Sequence, residues 1–202
     1  MEDNKIKVLY LINSSEIGGT EKSILSLIDG IDKNRFEIIL VCLRGEGYFT
    51  QEIKKRNIPI YIFNLKNKPF SIFFIYKIIK KNKPDILQTF LFFSNLIGRI
   101  LGKLAGIKII ISSQRSVDKW RKWYHWKLDS LTSKFSTIII SNSFSAKKEL
   151  IEKGKIKENK IIVIPNGVNT EVEKIPFAKK LFGLKENDIV IGSVGNLRKV
   201  KG

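Results

Sequence analysis

Along most of the chain, apolar runs of strand length alternate with longer segments in which apolar residues recur every three or four positions. The short runs are nearly continuous, as in Val8-Leu9-Tyr10-Leu11-Ile12 and Ile38-Ile39-Leu40-Val41. Continuous runs belong to parallel strands covered on both faces, whereas half-exposed strands alternate apolar and polar residues. The pattern predicts strands over 7–13, 37–43, 60–64, 86–89, 108–112, 137–141 and 161–164. Helices are predicted near 20–31, 48–56, 71–81, 93–105, 119–134 and 145–153. Alternating units of this kind build an α/β domain with a doubly wound parallel sheet, Rossmann-like in architecture.

The rhythm changes after Ile164. A Pro165-Asn166-Gly167 turn leads through a charged stretch to a short helix near 177–182, and then to a strand-like run over 188–194 that ends at Gly195. A lone strand cannot bury both of its faces. The expected organisation is therefore a first domain over 1–170, a linker over 171–187, and over 188–202 the first strand and turn of a second domain whose remainder is missing.

Composition narrows the class. A hydrophobic fraction of 43% is enough for a sizeable core. The single cysteine, Cys42, excludes an internal disulfide, and its place in an apolar run predicts a buried strand residue in a reducing, cytoplasmic setting. The apolar stretch at 8–12 is too short for a secretory core, and the greasiest region, 86–101, is interrupted by Gln88, Asn95 and Arg99, so no membrane crossing is expected. Net charge is +18, from 37 basic and 19 acidic residues, which implies an anionic partner. A phospholipid surface, nucleic acid and a phosphorylated substrate all qualify, and compositional drift toward lysine is the plainer alternative. No helix-turn-helix, zinc or RNA-binding signature supports nucleic acid.

Two glycine turns carry candidate chemistry. The first strand runs into Gly18-Gly19 ahead of a helix whose N-cap could be Thr20, a setting in which backbone can approach a phosphate or sugar oxygen. At the far end Gly195 is followed by Arg198 and Lys201, cations suited to a diphosphate leaving group. A simple tight turn and a solvated basic tail are the respective alternatives. The dinucleotide fingerprint is absent, since Gly-x-Gly-x-x-Gly does not occur after the first strand.

The segment from Lys119 to Lys127 mixes Trp120, Trp123 and Trp126 with Arg121 and Lys122. At helical spacing Trp120, Trp123, Tyr124, Leu128 and Leu131 share one broad face, Trp126 falls at its edge as the best candidate for exposure, and Arg121 and Lys122 project elsewhere. Such a mixture suits the headgroup layer of a bilayer. Docking of the apolar face on the sheet accounts for it equally well.

Motif order adds a resemblance. A Gly-Gly turn with Glu21 close behind is followed by Gln88-Thr89-Phe90, Asn95-Leu96-Ile97-Gly98-Arg99, Ser141-Asn142-Ser143, Ile164-Pro165-Asn166-Gly167-Val168, and finally Ser193-Val194-Gly195-Asn196-Leu197 before Lys201-Gly202. In this order the chain resembles the family 4 glycosyltransferases, retaining enzymes of the GT-B architecture, as the N-terminal half of such a fold. The resemblance implies transfer of a sugar from a nucleotide-sugar donor to a glycan or lipid-linked acceptor, without a cofactor or an obligatory metal. It places donor and phosphate contacts at Gly18, Gly19, Gly195, Arg198 and Lys201, with Lys201 matching the family's diphosphate lysine and Asn196 standing where an arginine is usual. Many members carry a histidine after the fifth strand, where this chain has Gln114-Arg115. Asn95, Gln114, Arg115 and Asn166 are thus the expected lining of the acceptor cleft, a structural role being the alternative. The family's Glu-x7-Glu carboxylates belong to the second domain, so residues 1–202 alone are expected to be inactive. Trp120, Arg121, Lys122, Trp123 and Trp126 are expected at an anionic membrane surface, giving a peripheral protein on the cytoplasmic leaflet. A non-catalytic basic membrane-binding module and a sugar-nucleotide epimerase of the same architecture are the competing functions.

Overall fold

Fully buried Leu9, Leu11, Leu40 and Val41 lie at the centre of a sheet that grows outward from the first strand. Burial of each such side chain contributes about 1.5–3 kcal/mol. The structure is a computed structural model that describes residues 5–116, 120–167, 179–185 and 187–191. It divides into two compact units, Met1–Gly167 and Val168–Gly202. In the first unit the strands are β1 (Ile6–Ile12), β2 (Phe36–Cys42), β3 (Ile60–Ile62), β4 (Ile86–Phe90), β5 (Ile109–Gln114), β6 (Ile138–Ser141) and β7 (Ile161–Val163). The helices are α1 (Gly19–Gly30), α2 (Tyr48–Lys55), α3 (Ile72–Asn82), α4 (Phe92–Ala105), α5 (Trp123–Ser133) and α6 (Phe144–Glu152).

All seven strands are parallel, in the order β3-β2-β1-β4-β5-β6-β7. The chain starts mid-sheet, steps to one edge, returns to lay β4 beside β1, and then steps to the other edge. Register assigns each strand residue to a face. Val8, Tyr10 and Ile12 align with Ile38, Leu40 and Cys42, and pack with Ile24 and Ile28 of α1 and with Phe49 and Ile53 of α2. Leu9, Leu11, Ile39, Val41 and Leu87 face the other way, toward Ile75 and Ile79 of α3 and Leu101 of α4. Cys42 is a buried free thiol, as its sequence context predicts.

Helix α4 lies unusually close to the sheet. A Cβ at Gly98 would sit 2.3 Å from Thr89 Cγ2, and one at Gly102 would sit 2.6 Å from Leu87 Cδ2. Bare backbone at these positions brings the flanking Asn95 and Arg99 onto the strands.

Coverage on both faces is incomplete among the described residues. On the face that carries α1 and α2, the register continues through Ile109 and Ile111, Ile138 and Ile140, and Ile162. There Ile109 and Ile162 remain about two-fifths exposed, at 40% and 38%. Predicted boundaries fall within a few residues of those observed, with one larger difference: the helix expected over 119–134 begins only at Trp123, and residues 117–119 lie outside the described set. In the second unit, a 3-10 turn at Lys179–Phe182 stands where a short helix is expected. Residues 188–191 carry no strand, and 192–194 lie outside the described residues.

Candidate functional site

Where a doubly wound sheet reverses its strand order, loops leave β1 and β4 in opposite directions and open a crevice at the carboxyl ends of the strands. Here the reversal lies between β1 and β4. The rim begins at Gly18 and Gly19, both exposed at the start of α1. Gly18 is the N-cap, two residues earlier than the Thr20 expected, because the Glu21 carboxylate reaches back to accept its N–H at 2.9 Å. The next loop is pinned to this one. Phe49 N–H donates to the Ser15 carbonyl at 2.9 Å, and a Cβ on Gly47 would lie 2.5 Å from that same oxygen. Beyond Gly47 a cavity of about 530 Å³ opens between Gly45, Phe63, Asn64 and Lys68.

After β4 the chain turns at Leu91, whose φ of 73° and ψ of 159° are open in practice only to glycine. A non-glycine residue there stores about 1–3 kcal/mol of strain. Hydrogen bonds on both sides hold it: Leu91 N–H donates to the Ser113 carbonyl at 3.3 Å, and Asn95 N–H donates to the Leu91 carbonyl at 2.9 Å.

The far side of the rim is Arg115, just past β5. Its Nη2 donates to Ser23 Oγ on α1 and to Asn166 Oδ1 at 2.6 Å. Asn142 donates its side-chain N–H to the Arg115 carbonyl at 3.0 Å. Burial pushes the Arg115 guanidinium pKa down from its ordinary value. This one side chain joins the β1–α1 side of the crevice to the segment after β7.

Beneath the rim lies a buried polar network. Asp129 of α5 sits between two arginines, its Oδ1 accepting from Arg99 Nη1 at 2.5 Å and its Oδ2 from Arg121 Nη1 at 2.8 Å. All three side chains are essentially inaccessible to solvent. Arg99 also donates to Ser112 and Ser136, each at 2.9 Å. Arg121 Nη2 donates to Gln114 Oε1 at 2.8 Å, and Gln114 in turn donates to the Ser116 carbonyl at 2.6 Å. The Arg121 guanidinium is flanked by the rings of Phe92 and Trp126, 4.4 and 4.8 Å from their centroids. The ion network thus reaches from the middle of α4 to the residues on either side of Arg115.

Several sequence expectations change here. Arg121 and Trp126 are buried, not at a membrane surface, because the Asp129 carboxylate draws Arg121 inward and Trp126 packs on Arg121 and on Leu150, Ile156 and Ile161. The face of α5 expected to be its broad apolar side points outward: Trp123 is 75% exposed, and Leu128 and Leu131 about half. Trp120 and Lys122 are exposed. Asn95 and Gln114 do not line the cleft surface; both are buried, Asn95 tied to Thr89 Oγ1 at 2.7 Å. Arg115 and Asn166 do meet at the rim. Gly195, Arg198 and Lys201 lie outside the described residues. Sequence reading missed Asp129, Arg99, Ser23 and Asn142 as site builders. The signal for the first two was available: Asn95, Gly98, Arg99 and Gly102 recur at helical spacing, and Asp129 is the sole acid between 119 and 134.

Among the described residues no cluster of histidine, cysteine and acidic side chains could hold a metal ion. No helix among them is long and apolar enough to cross a membrane.

Residues 17–172 match the family model described as Glycosyltransferase Family 4. The chain belongs to that family. As a family 4 chain it is 26% identical over 214 residues to the UDP-Gal:alpha-D-GlcNAc-diphosphoundecaprenol alpha-1,3-galactosyltransferase of Escherichia coli, covering 96% of this chain and 54% of that relative. Among solved structures, Anabaena HepE in complex with UDP superposes with a TM-score of 0.69 at 16% identity, over 81% of this chain and 44% of that one. A glycosyltransferase from Rickettsia africae superposes with a TM-score of 0.64 at 25% identity, over 82% and 44%. The chain therefore spans about half the length of the proteins it matches. The family assignment and the Rossmann-like fold expected from motif order are both borne out.

Removing the central carboxylate would leave the buried Arg99 guanidinium without its counter-charge among the described residues. Asp129→Asn is expected to destabilise the first unit by about 3–5 kcal/mol, read as a lower urea midpoint at unchanged m.

Proposed function

We propose that the protein of which this chain is part transfers galactose from UDP-galactose to a glycan carried on a lipid diphosphate, with retention at the anomeric carbon. The observation that carries this reading is the similarity, over 96% of the chain, to a galactosyltransferase whose acceptor is a GlcNAc-diphosphoundecaprenol. In this reading the first unit holds the acceptor side. Gly18 and Gly19 approach the donor from the α1 turn, Gly195 offers its backbone to the phosphate, and the cations Arg198 and Lys201 neutralise the departing diphosphate. No metal and no cofactor enter the scheme. The epimerase alternative is weaker, because both the family match and the curated relative are transferases.

We further propose that the first unit rests on an anionic cytoplasmic leaflet. Helices α3, α4 and α5 lie side by side on one face of the sheet. Their outer surface exposes Phe73 at 65%, Leu104 at 65% and Trp123 at 75%. Lys77 and Lys80 of α3, Lys127 of α5 and Lys122 at its N-cap are exposed as well. Apolar side chains that insert beside cations that bind lipid phosphate are the pattern of an interfacial surface. A groove of about 450 Å³ beside Trp123 and Leu131, with Lys127, Lys153 and Lys155 at its lip, fits a headgroup.

A protein extended through the second domain, given UDP-galactose and a short-chain GlcNAc-diphosphoprenol, should yield an α-linked galactosyl product by NMR. Failure to transfer galactose while another UDP-sugar is used would overturn the donor assignment, and no transfer from any donor would overturn the reading. Separately, the chain should co-sediment with phosphatidylglycerol vesicles and not with phosphatidylcholine vesicles, and Phe73→Ser with Trp123→Ser should abolish the binding. Equal recovery with both vesicle types, or full binding by the double variant, contradicts the membrane surface.

A further inference from the structure

Arg115 differs from the arginines beneath it. Arg99 and Arg121 share the Asp129 carboxylate, whereas among the described residues no carboxylate pairs with Arg115. Its Nε is buried with no hydrogen-bond partner. The bonds it does make, to Ser23 Oγ and Asn166 Oδ1, are to neutral oxygens, which fix the direction of the guanidinium without cancelling its charge. Taking a cation partly out of water next to neutral groups alone is unfavourable, and burial lowers its pKa accordingly.

The surroundings favour an anion. Ser23 lies one turn along α1 from Gly19, so the guanidinium projects over the first turns of that helix, where the backbone dipole is positive. Gly19 itself is exposed, and among the described residues a Cβ there would meet nothing within 4 Å, so a ligand can come down to the backbone. Beside Arg115, Asn142, whose side-chain N–H holds the Arg115 carbonyl, has its Oδ1 buried without a hydrogen-bond partner. It can accept from a hydroxyl or amide of whatever group the cation holds. A planar guanidinium fork beside a helix start matches the oxygens of a phosphoryl group in shape and charge.

We infer that Arg115, held by Ser23 and Asn166 over the start of α1, is a diphosphate-binding residue. This rests on the proposed function, which supplies two diphosphates: the lipid-linked acceptor carries one and the nucleotide-sugar donor the other. Arg115 acts by direct contact with phosphoryl oxygens, and the site needs no proton transfer from it.

The test is binding, so it does not depend on turnover. Wild-type protein, Arg115→Gln and Arg115→Lys are titrated by calorimetry with UDP and, separately, with a short-chain GlcNAc-diphosphoprenol, at about 150 mM salt to screen the general positive charge. Circular dichroism and the melting temperature confirm that each variant is folded. Arg115→Gln is expected to weaken one of the two ligands about tenfold or more, and Arg115→Lys to recover part of the loss. A loss confined to the prenyl diphosphate assigns the site to the acceptor, and one confined to UDP assigns it to the donor. Folded Arg115→Gln that binds both ligands as wild type does overturns the proposal, and Arg115 is then only a tie between α1 and Asn166. Absence of galactosyl transfer with diphosphate binding intact counts against the proposed reaction and not against this site.

Discussion

The Asp129 carboxylate bridges two buried guanidinium groups, and the shape of the rim above depends on that arrangement. A carboxylate shared between two buried arginines is tolerable only with further hydrogen bonds around it. Ser112, Ser136 and Gln114 supply them, and the Phe92 and Trp126 rings flank Arg121. The network also explains the orientation of α5. By apolar content alone the helix would turn Trp123, Leu128 and Leu131 inward. Instead Trp126, Asp129, Thr132 and Ser133 face the interior, since the carboxylate cannot be moved to the surface without stranding the buried Arg99.

From this core the geometry passes upward in short steps. Gly98 and Gly102 let α4 settle on the sheet so that Arg99 reaches Ser112 of β5. Arg121 fixes Gln114, the last residue of β5, and Arg115 follows directly. The strained turn at Leu91 is held by the carbonyl of Ser113, one residue before Gln114. The crevice rim is therefore built on the ends of β4 and β5 and on a buried ion network, not on free loops. Preorganisation of that kind is what a site for a charged ligand requires.

Most of the fold was legible in the sequence because continuous apolar runs such as Ile38–Val41 in β2 admit few readings besides a buried parallel strand. The thin coverage of one face of β5 to β7 among the described residues was not legible: Ile109 and Ile162 look the same in sequence whether or not something packs over them. At the site, motif order led correctly to the family, and it singled out Arg115 and Asn166, two side chains that meet in the structure. It failed for Arg121 and Trp126, where a count of apolar positions on a helix ignored the stronger demand of one buried acid. Asn95 and Gln114 were found as important positions, but their role is to hold the rim from below. Gly195, Arg198 and Lys201 remain inferences from motif alone.

The claim that the ion network sets this part of the domain is tested most directly by a double-mutant cycle on Arg99 and Asp129, with Arg99→Met, Asp129→Leu and the pair compared by urea unfolding. Asp129→Leu strands the Arg99 guanidinium and Arg99→Met takes from Asp129 one of its two cations, whereas the pair removes one charge of each sign. The account predicts strong coupling, with the double variant more stable than the sum of the singles implies by about 2 kcal/mol or more. Additive effects within about 0.5 kcal/mol would contradict it.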